Sequence, residues 1–400
     1  MFQRMRILFL HPNFPAQFRH LASRFGKEGH EVRFLCQTHH DNMLAGVERL
    51  CLKGELGQDA LNSAKGSQLE RSQLLADQYR RGMENLHQQG WQPDLVVSHS
   101  GWGCGLYVKT IWPRCRQIAY VEWWFDPDSA LLHHDPGNRE LALTPESAPK
   151  MWKRNQATAL ELVAADHVVA PTRWQRQQLP ASLQERCEVI FDGIDLNTFQ
   201  PDRGKRNATP LLTYGTRGME PMRCFPQFIR ELPALLQADS TLQVEIAGAD
   251  ESFYGGTKPT EGSWGRWARN QLNHQGLAGR VTWVGRLPLN DYISWLQRSW
   301  VHVYLTHPFV VSWSLLEALA CGCPLVASDV APVREFCGPG RGTLVDHRSP
   351  GFLLPAVNTA LQTTHRTPQP LPPELKQRLS MTHCLLRWKA VAGVDLATTD

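Results

Sequence analysis

Residues 301–336, VHVYLTHPFVVSWSLLEALACGCPLVASDVAPVREF, hold two apolar runs separated by one short helical pattern. The first run, 301–305, reads as a buried strand. A helix follows over 313–320 and is stopped by Cys321-Gly322. A second strand covers 324–328, and a second helix starts after it. A strand, a helix and a parallel strand in so short a stretch form a βαβ unit. Chains built from such units fold as parallel sheets with helices on both faces, and they bind ligands beyond the carboxyl ends of the strands.

The same alternation runs through the rest of the chain. A strand over 6–10 is followed by the loop HPNFPAQF (11–18), a helix around 16–28 and a strand over 31–36. A strand near 47–52, a long helix over roughly 58–88 and a buried strand ending in a polar, Gly-rich turn (94–103) come next. Further strands are predicted at 117–125, 167–172 and 187–193, with a helix over 149–165. Residues 194–210 lack periodicity, carry two prolines and read as a linker. The second half repeats the pattern, with strands at 211–216, 242–248, 281–285, 301–305, 324–328 and 342–346. Its helices are expected near 225–237, 263–275 and 289–299, and 249–263 reads as a long polar loop. The fold class is therefore α/β, with two Rossmann-like parallel-sheet domains facing across a cleft. The first spans 1–193 and the second 211–362. A Pro-rich segment and closing helix occupy 363–400, the helix itself over 375–391.

Composition narrows the partners. The chain has 400 residues, 42% hydrophobic and 20% charged, with a formal charge of +4. So mild an excess argues against nucleic acid and suits a phosphorylated small molecule. The ten cysteines are scattered without a C-x-x-C pair, which fits free thiols in a reducing cytoplasm. Arg4 and Arg6 precede only four apolar residues, so the start reads as a strand and not a signal peptide. No apolar run reaches the ~18 residues of a membrane span. A local patch of Arg80, Arg81, Arg114 and Arg116 leaves weak peripheral association with the inner face of a membrane as a further expectation.

Several residue types point to anion and sugar chemistry. Arg217 and Arg223 lie in the loop after the strand at 211–216, where two guanidinium groups suit a diphosphate. The helix starting at Ser312-Trp313 offers backbone N–H groups and a dipole to the same charge. Glu317 is a lone carboxylate in an apolar helix and can accept hydrogen bonds from a ribose diol; a solvated helix face is the competing reading. His99 ends a buried strand, a position that suits contact with a substrate hydroxyl or the reacting centre. Asn13, Phe14 and Gln17 stand in the first-strand loop, with Phe14 reading as exposed. Asp126-Pro-Asp128 formally matches a D-x-D metal–phosphate pattern but lies in a loop. His133-His134 reads as surface. Trp123-Trp124 and Trp264/Trp267 either stack on sugars or pack in cores.

Taken together, HPNFPAQFRH (11–20), APTRWQRQQLP (170–180), FDGIDLNTF (191–199), TYGTRGMEPMR (213–223) and residues 302–336 resemble the glycosyltransferase family 4 type of GT-B enzyme. They look like its bacterial subgroup opening with HPNFPAQFRHLA. The resemblance implies a nucleotide-sugar donor, UDP- or GDP-linked, on the C-terminal domain. It implies a glycan, glycolipid or small glycoside acceptor on the N-terminal domain. It further implies metal-independent transfer with retention of configuration, and no cofactor. Closure of the two domains would align donor and acceptor. Glu317 matches the second Glu of the family's E-x7-E motif, and Arg217 and Arg223 resemble its basic pair on the diphosphate. His99 matches the N-domain histidine near the donor sugar. Val310, Val311, Ser312 and Trp313 fall where backbone N–H groups meet the donor. The first Glu of the motif falls at Phe309, a departure at the usual sugar contact. Two rivals follow: a non-catalytic nucleotide-sugar-binding protein, which Phe309 favours, and a nucleotide-sugar epimerase, which needs a carboxylate pair.

Overall fold

A computed structural model describes residues 4–37, 43–52, 68–338, 340–363 and 370–394. The described chain forms two compact units. One gathers residues from 1–129, 148–193 and 378–400, and the other gathers 130–147 and 194–377.

The first unit carries seven parallel strands: β1 (Arg6–Leu10), β2 (Glu31–Cys36), β3 (Val47–Cys51), β4 (Leu95–His99), β5 (Arg116–Tyr120), β6 (His167–Ala170) and β7 (Cys187–Val189). Their order is β3-β2-β1-β4-β5-β6-β7. Ile7 of β1 registers with Val32 on one side and Leu95 on the other. The order reverses between β1 and β4, so their carboxyl ends open a crevice where crossovers leave in opposite directions.

The second unit repeats this plan with β8 (Leu211–Gly218), β9 (Gln243–Ala249), β10 (Val281–Gly285), β11 (Val301–Tyr304), β12 (Leu325–Ser328) and β13 (Thr343–Val345). The order is β10-β9-β8-β11-β12-β13, with the reversal between β8 and β11. Leu212, Tyr214, Val303 and Val326 on the strands pack with Phe228 and Leu232 of the helix Phe225–Ala238 and with Leu353 and Val357 of the helix Leu353–Thr363. Continuous apolar strands of this kind need both sheet faces covered. The two parallel sheets bear out the α/β class and the two Rossmann-like domains read from the sequence.

Several boundaries differ from the sequence reading, for local reasons. The strand expected over 117–125 stops at Tyr120. Val121 makes one more bond to Val169, and β6 then ends at Ala170, where the strand pairing stops. The helix expected over 149–165 breaks into Ala148–Trp152 and Asn155–Ala164. The Asn155 amide bonds both the N–H and the carbonyl of Phe125. The long helix is described over Gln68–Gln88, and the earlier part of its expected span lies outside the described residues.

Residues 194–210 pack with the second unit. Gln297 donates to the Gln200 carbonyl at 2.8 Å and Trp300 to the Asn207 carbonyl at 2.7 Å. The closing helix divides into Pro373–Leu379 and Met381–Ala392. The latter belongs to the first unit, where Lys389 meets Glu28 at 3.0 Å and Arg116 donates to the Val391 carbonyl at 2.7 Å. Arg80, of the expected basic patch, pairs with Glu84 and Asp77. Among the described residues no helix is long and apolar enough to cross a membrane.

Candidate functional site

In the second unit the predicted residues collect at the carboxyl edge of β8 and β11. β8 runs into a turn, Pro221–Arg223, which buries the Arg223 side chain. One terminal nitrogen of Arg223 donates to Thr306 Oγ1 at 2.8 Å, the Val310 carbonyl at 3.0 Å and the Tyr304 hydroxyl at 3.3 Å. The Ser312 N–H donates to that same hydroxyl at 2.9 Å. Tyr304 thus ties the arginine to the loop that starts the helix Trp313–Ala320. Ser312 caps this helix by accepting from the Ser314 N–H at 3.2 Å. The Ser312 N–H, which the sequence reading offered to a sugar, is therefore already engaged. Val311 is buried, Val310 and Ser312 are half-buried and Trp313 is exposed.

The loop after β9 completes this edge. Buried Glu220 accepts the N–H groups of Phe253 and Tyr254, both at 2.8 Å. Those rings then lie under the two cations: Arg217 sits 4.2 Å from the Phe253 centroid and Arg223 sits 5.1 Å from the Tyr254 centroid. Gly218 permits the approach, because a Cβ there would strike the Glu251 carbonyl and the Phe253 ring. Arg217 itself is exposed. Phe309, at the departure from E-x7-E, packs edge-on to Tyr254 with centroids 5.3 Å apart.

Glu317 has a partner that the sequence did not reveal. The Tyr292 hydroxyl, from the helix Leu289–Arg298, donates to its carboxylate at 2.9 Å. Burial pushes the Glu317 carboxyl up to about 7, against the opposing pull of that hydrogen bond.

The first unit brings polar groups together at its own switch point. His99, at the end of β4, is buried, with Nε2 3.4 Å from a Glu122 carboxylate oxygen. Gln17 donates to the other Glu122 oxygen at 3.1 Å. His11, the residue after β1, lies edge-on to His99 with ring centroids 4.8 Å apart, and its Nδ1 accepts the Asn13 N–H at 2.9 Å. Burial first, and the neighbouring His99 second, hold His11 well below the usual imidazole range. Asn13 is exposed and Gln17 half-buried. Phe14 is buried against Phe34, with centroids 5.0 Å apart, so the exposed reading is corrected: an aromatic pocket was available to it. Behind β4, buried Glu161 accepts from Ser98 Oγ at 2.6 Å and the Gly105 N–H at 3.2 Å.

Other candidates resolve structurally. The Asp126 carboxylate accepts the Asp128 N–H at 3.0 Å and closes a turn. Trp264 packs in the second unit's core against Trp267, and Trp124 packs in the first unit's core. His11 was legible by the strand-end rule that selects His99. Tyr292, Tyr304 and Glu220 carry no local signal, because their partners are distant in sequence.

Two family models match the chain. Residues 28–199 match a glycosyl transferase family 4 group, and residues 211–363 match the glycosyl transferases group 1. The chain belongs to the family 4, group 1 glycosyltransferases. The chain is 26% identical over 242 residues to a D-inositol 3-phosphate glycosyltransferase of Thermomonospora curvata, covering 56% of the chain and 54% of that relative. It is 26% identical over 309 residues to D-inositol 3-phosphate glycosyltransferase 2 of Catenulispora acidiphila, covering 71% and 66%. The chain thus spans about half the length of the first of these relatives. Among solved structures, Anabaena HepE in complex with UDP and glucose superposes with a TM-score of 0.69 at 16% identity, covering 98% of this chain and 100% of that one. Sucrose-phosphate synthase of Thermosynechococcus elongatus gives 0.71 at 15%, covering 97% and 98%. At such identities the likeness extends to the GT-B fold.

Proposed function

We propose that the protein transfers a sugar, with retention and without a metal at the diphosphate, from a nucleotide-diphosphate sugar to a glycan, glycolipid or small glycoside. The observation that carries this reading is the pairing of Arg217 and Arg223 beside the capped helix at Ser312, on the carboxyl edge of β8 and β11. Preorganised cations at that edge stabilise charge developing on a departing diphosphate. Glu317 accepts the donor ribose. His99, oriented by Glu122, contacts the reacting sugar, and Asn13 and Gln17 serve the acceptor. HepE was crystallised with UDP and with UDP-glucose, which supports a uridine donor here.

The test is nucleotide release by the purified protein from UDP-, GDP- and ADP-sugars, with and without added Mg2+ or Mn2+. Release from one donor that needs neither ion, and is lost in Glu317→Ala and Arg217→Ala, is the expected result. Absence of both release and any thermal shift by nucleotide diphosphates would sink the reading. A second reading rests on Phe309, which stands where the motif has a carboxylate and packs on Tyr254. A thermal shift by nucleotide diphosphate, with no turnover of any donor on a broad acceptor panel, would favour a binding protein.

A further inference from the structure

His134, His307 and His347 converge within the second unit, although they stand far apart in the sequence. His307 follows the carboxyl end of β11, His347 follows β13, and His134 follows the short helix Ala130–His133. Their rings pack at centroid distances of 5.0, 5.2 and 5.9 Å. The nitrogens that face one another lie within 4.8 Å. His307 is fully buried, His347 nearly so and His134 half-buried, which corrects the surface reading of His134. Both ring nitrogens of His307, both of His347 and Nε2 of His134 are buried and have no hydrogen-bond partner among the described residues. An unpaired buried polar group is costly, so three such rings facing one another ask for a common partner.

From this geometry we propose that His134, His307 and His347 form a binding site for a divalent transition metal, zinc by preference. Neutral imidazoles are ligands of zinc, cobalt and nickel, and a set without oxygen donors disfavours magnesium and calcium. Asp135 and Asp346 stand close enough to act on these rings and would offset the ion's charge, while Arg348, paired with Asp346, opposes it. Zn–N bonds of about 2.0–2.1 Å require the ligand nitrogens to draw in slightly around the ion.

The consequence is mechanical. Residues 130–147 already attach to the second unit through Arg348 to the His134 carbonyl at 2.9 Å, and through the Thr257 N–H to the Glu140 carbonyl at 2.7 Å. An ion would pin this segment to the edge of β11 and β13. It would sit one residue from Thr306, which accepts from Arg223. The site does not depend on the proposed transfer reaction.

The test uses tag-free, full-length protein, stripped with EDTA and re-equilibrated with zinc. One zinc per chain by elemental analysis, a rise in Tm on zinc addition and visible ligand-field bands after cobalt replacement are expected. His134→Asn and His347→Gln should each weaken zinc binding by more than about 100-fold, since even outer-shell changes cost about 10–100-fold. Both variants should match the EDTA-stripped wild type in Tm. His134, the least buried of the three, decides the matter if His347→Gln fails to fold. No zinc uptake by the wild type, or uptake unchanged in His134→Asn, overturns the proposal.

Discussion

The Tyr292 hydroxyl donates to the Glu317 carboxylate at 2.9 Å, and burial holds that carboxyl at about 7 against an ordinary 4.5. A raised folded value means that the unfolded chain ionises first. Glu317 therefore withdraws stability as pH rises from about 4.5 to about 7. A ribose diol donates to the ionised form, so nucleotide affinity should climb up to about tenfold per pH unit below 7 and level off above it. Calorimetric titration with UDP and GDP checks this. The nucleotide's own phosphate also titrates near pH ~6, so Glu317→Gln is the reference. A slope that persists unchanged in Glu317→Gln would place the titration elsewhere.

Arg223 and Arg217 should differ in consequence because one is buried and the other exposed. Arg223→Lys keeps a charge but loses the guanidinium nitrogen that reaches Thr306, Val310 and Tyr304. A fall in kcat/KM of about 100-fold and a loss of about 1–3 kcal/mol in stability are expected. Arg217→Lys should cost about tenfold in kcat/KM with Tm unchanged. Steady-state kinetics and thermal melts on both variants make the comparison, and equal effects would contradict it.

At position 309, Phe309→Glu restores the family's carboxylate and removes the edge contact with Tyr254, worth about 0.5–1.5 kcal/mol. Nucleotide-diphosphate affinity should stay within about threefold, because the Arg223 contacts do not pass through this side chain. Preference among donors sharing one nucleotide but differing in sugar should change. A donor profile identical to wild type would show that position 309 does not meet the sugar.

Gly105 stands where a Cβ would collide with both Ser98 Oγ and the Glu161 carboxylate. Burial, the largest influence, pushes Glu161 up to about 7 against its hydrogen bonds to Ser98 and Gly105. Gly105→Ala should cost about 1–3 kcal/mol by overpacking and displace the carboxylate behind β4. Chemical denaturation at neutral pH measures the cost. A variant as stable as wild type would mean that the pocket relaxes freely.

The strand–helix alternation made both sheets legible, because fully buried parallel strands such as 301–304 and 325–328 appear as short, mostly apolar runs. Arg217, Arg223 and His99 were legible because the carboxyl ends of strands are where such folds place ligands. What escaped was set by distance along the chain. Tyr292 reaches Glu317 from a separate helix, and Tyr304 joins Arg223 to Ser312 across two loops. His134 meets His307 and His347 only once its segment, expected in the first domain, packs with the second unit. Phe14 misled because an aromatic in a Pro-rich loop gives no local sign of the pocket beside Phe34.

The helix Met381–Ala392 returns to the first unit after the whole second unit has been traversed, and Lys389, Arg387 and Trp388 fasten it there. Synthesis runs from the amino end, so the first sheet leaves the ribosome with this packing site open. It stays open while residues 194–377 emerge. The unit made first is thus the last to be finished, and a nascent chain halted before Met381 would expose an apolar flank to chaperones.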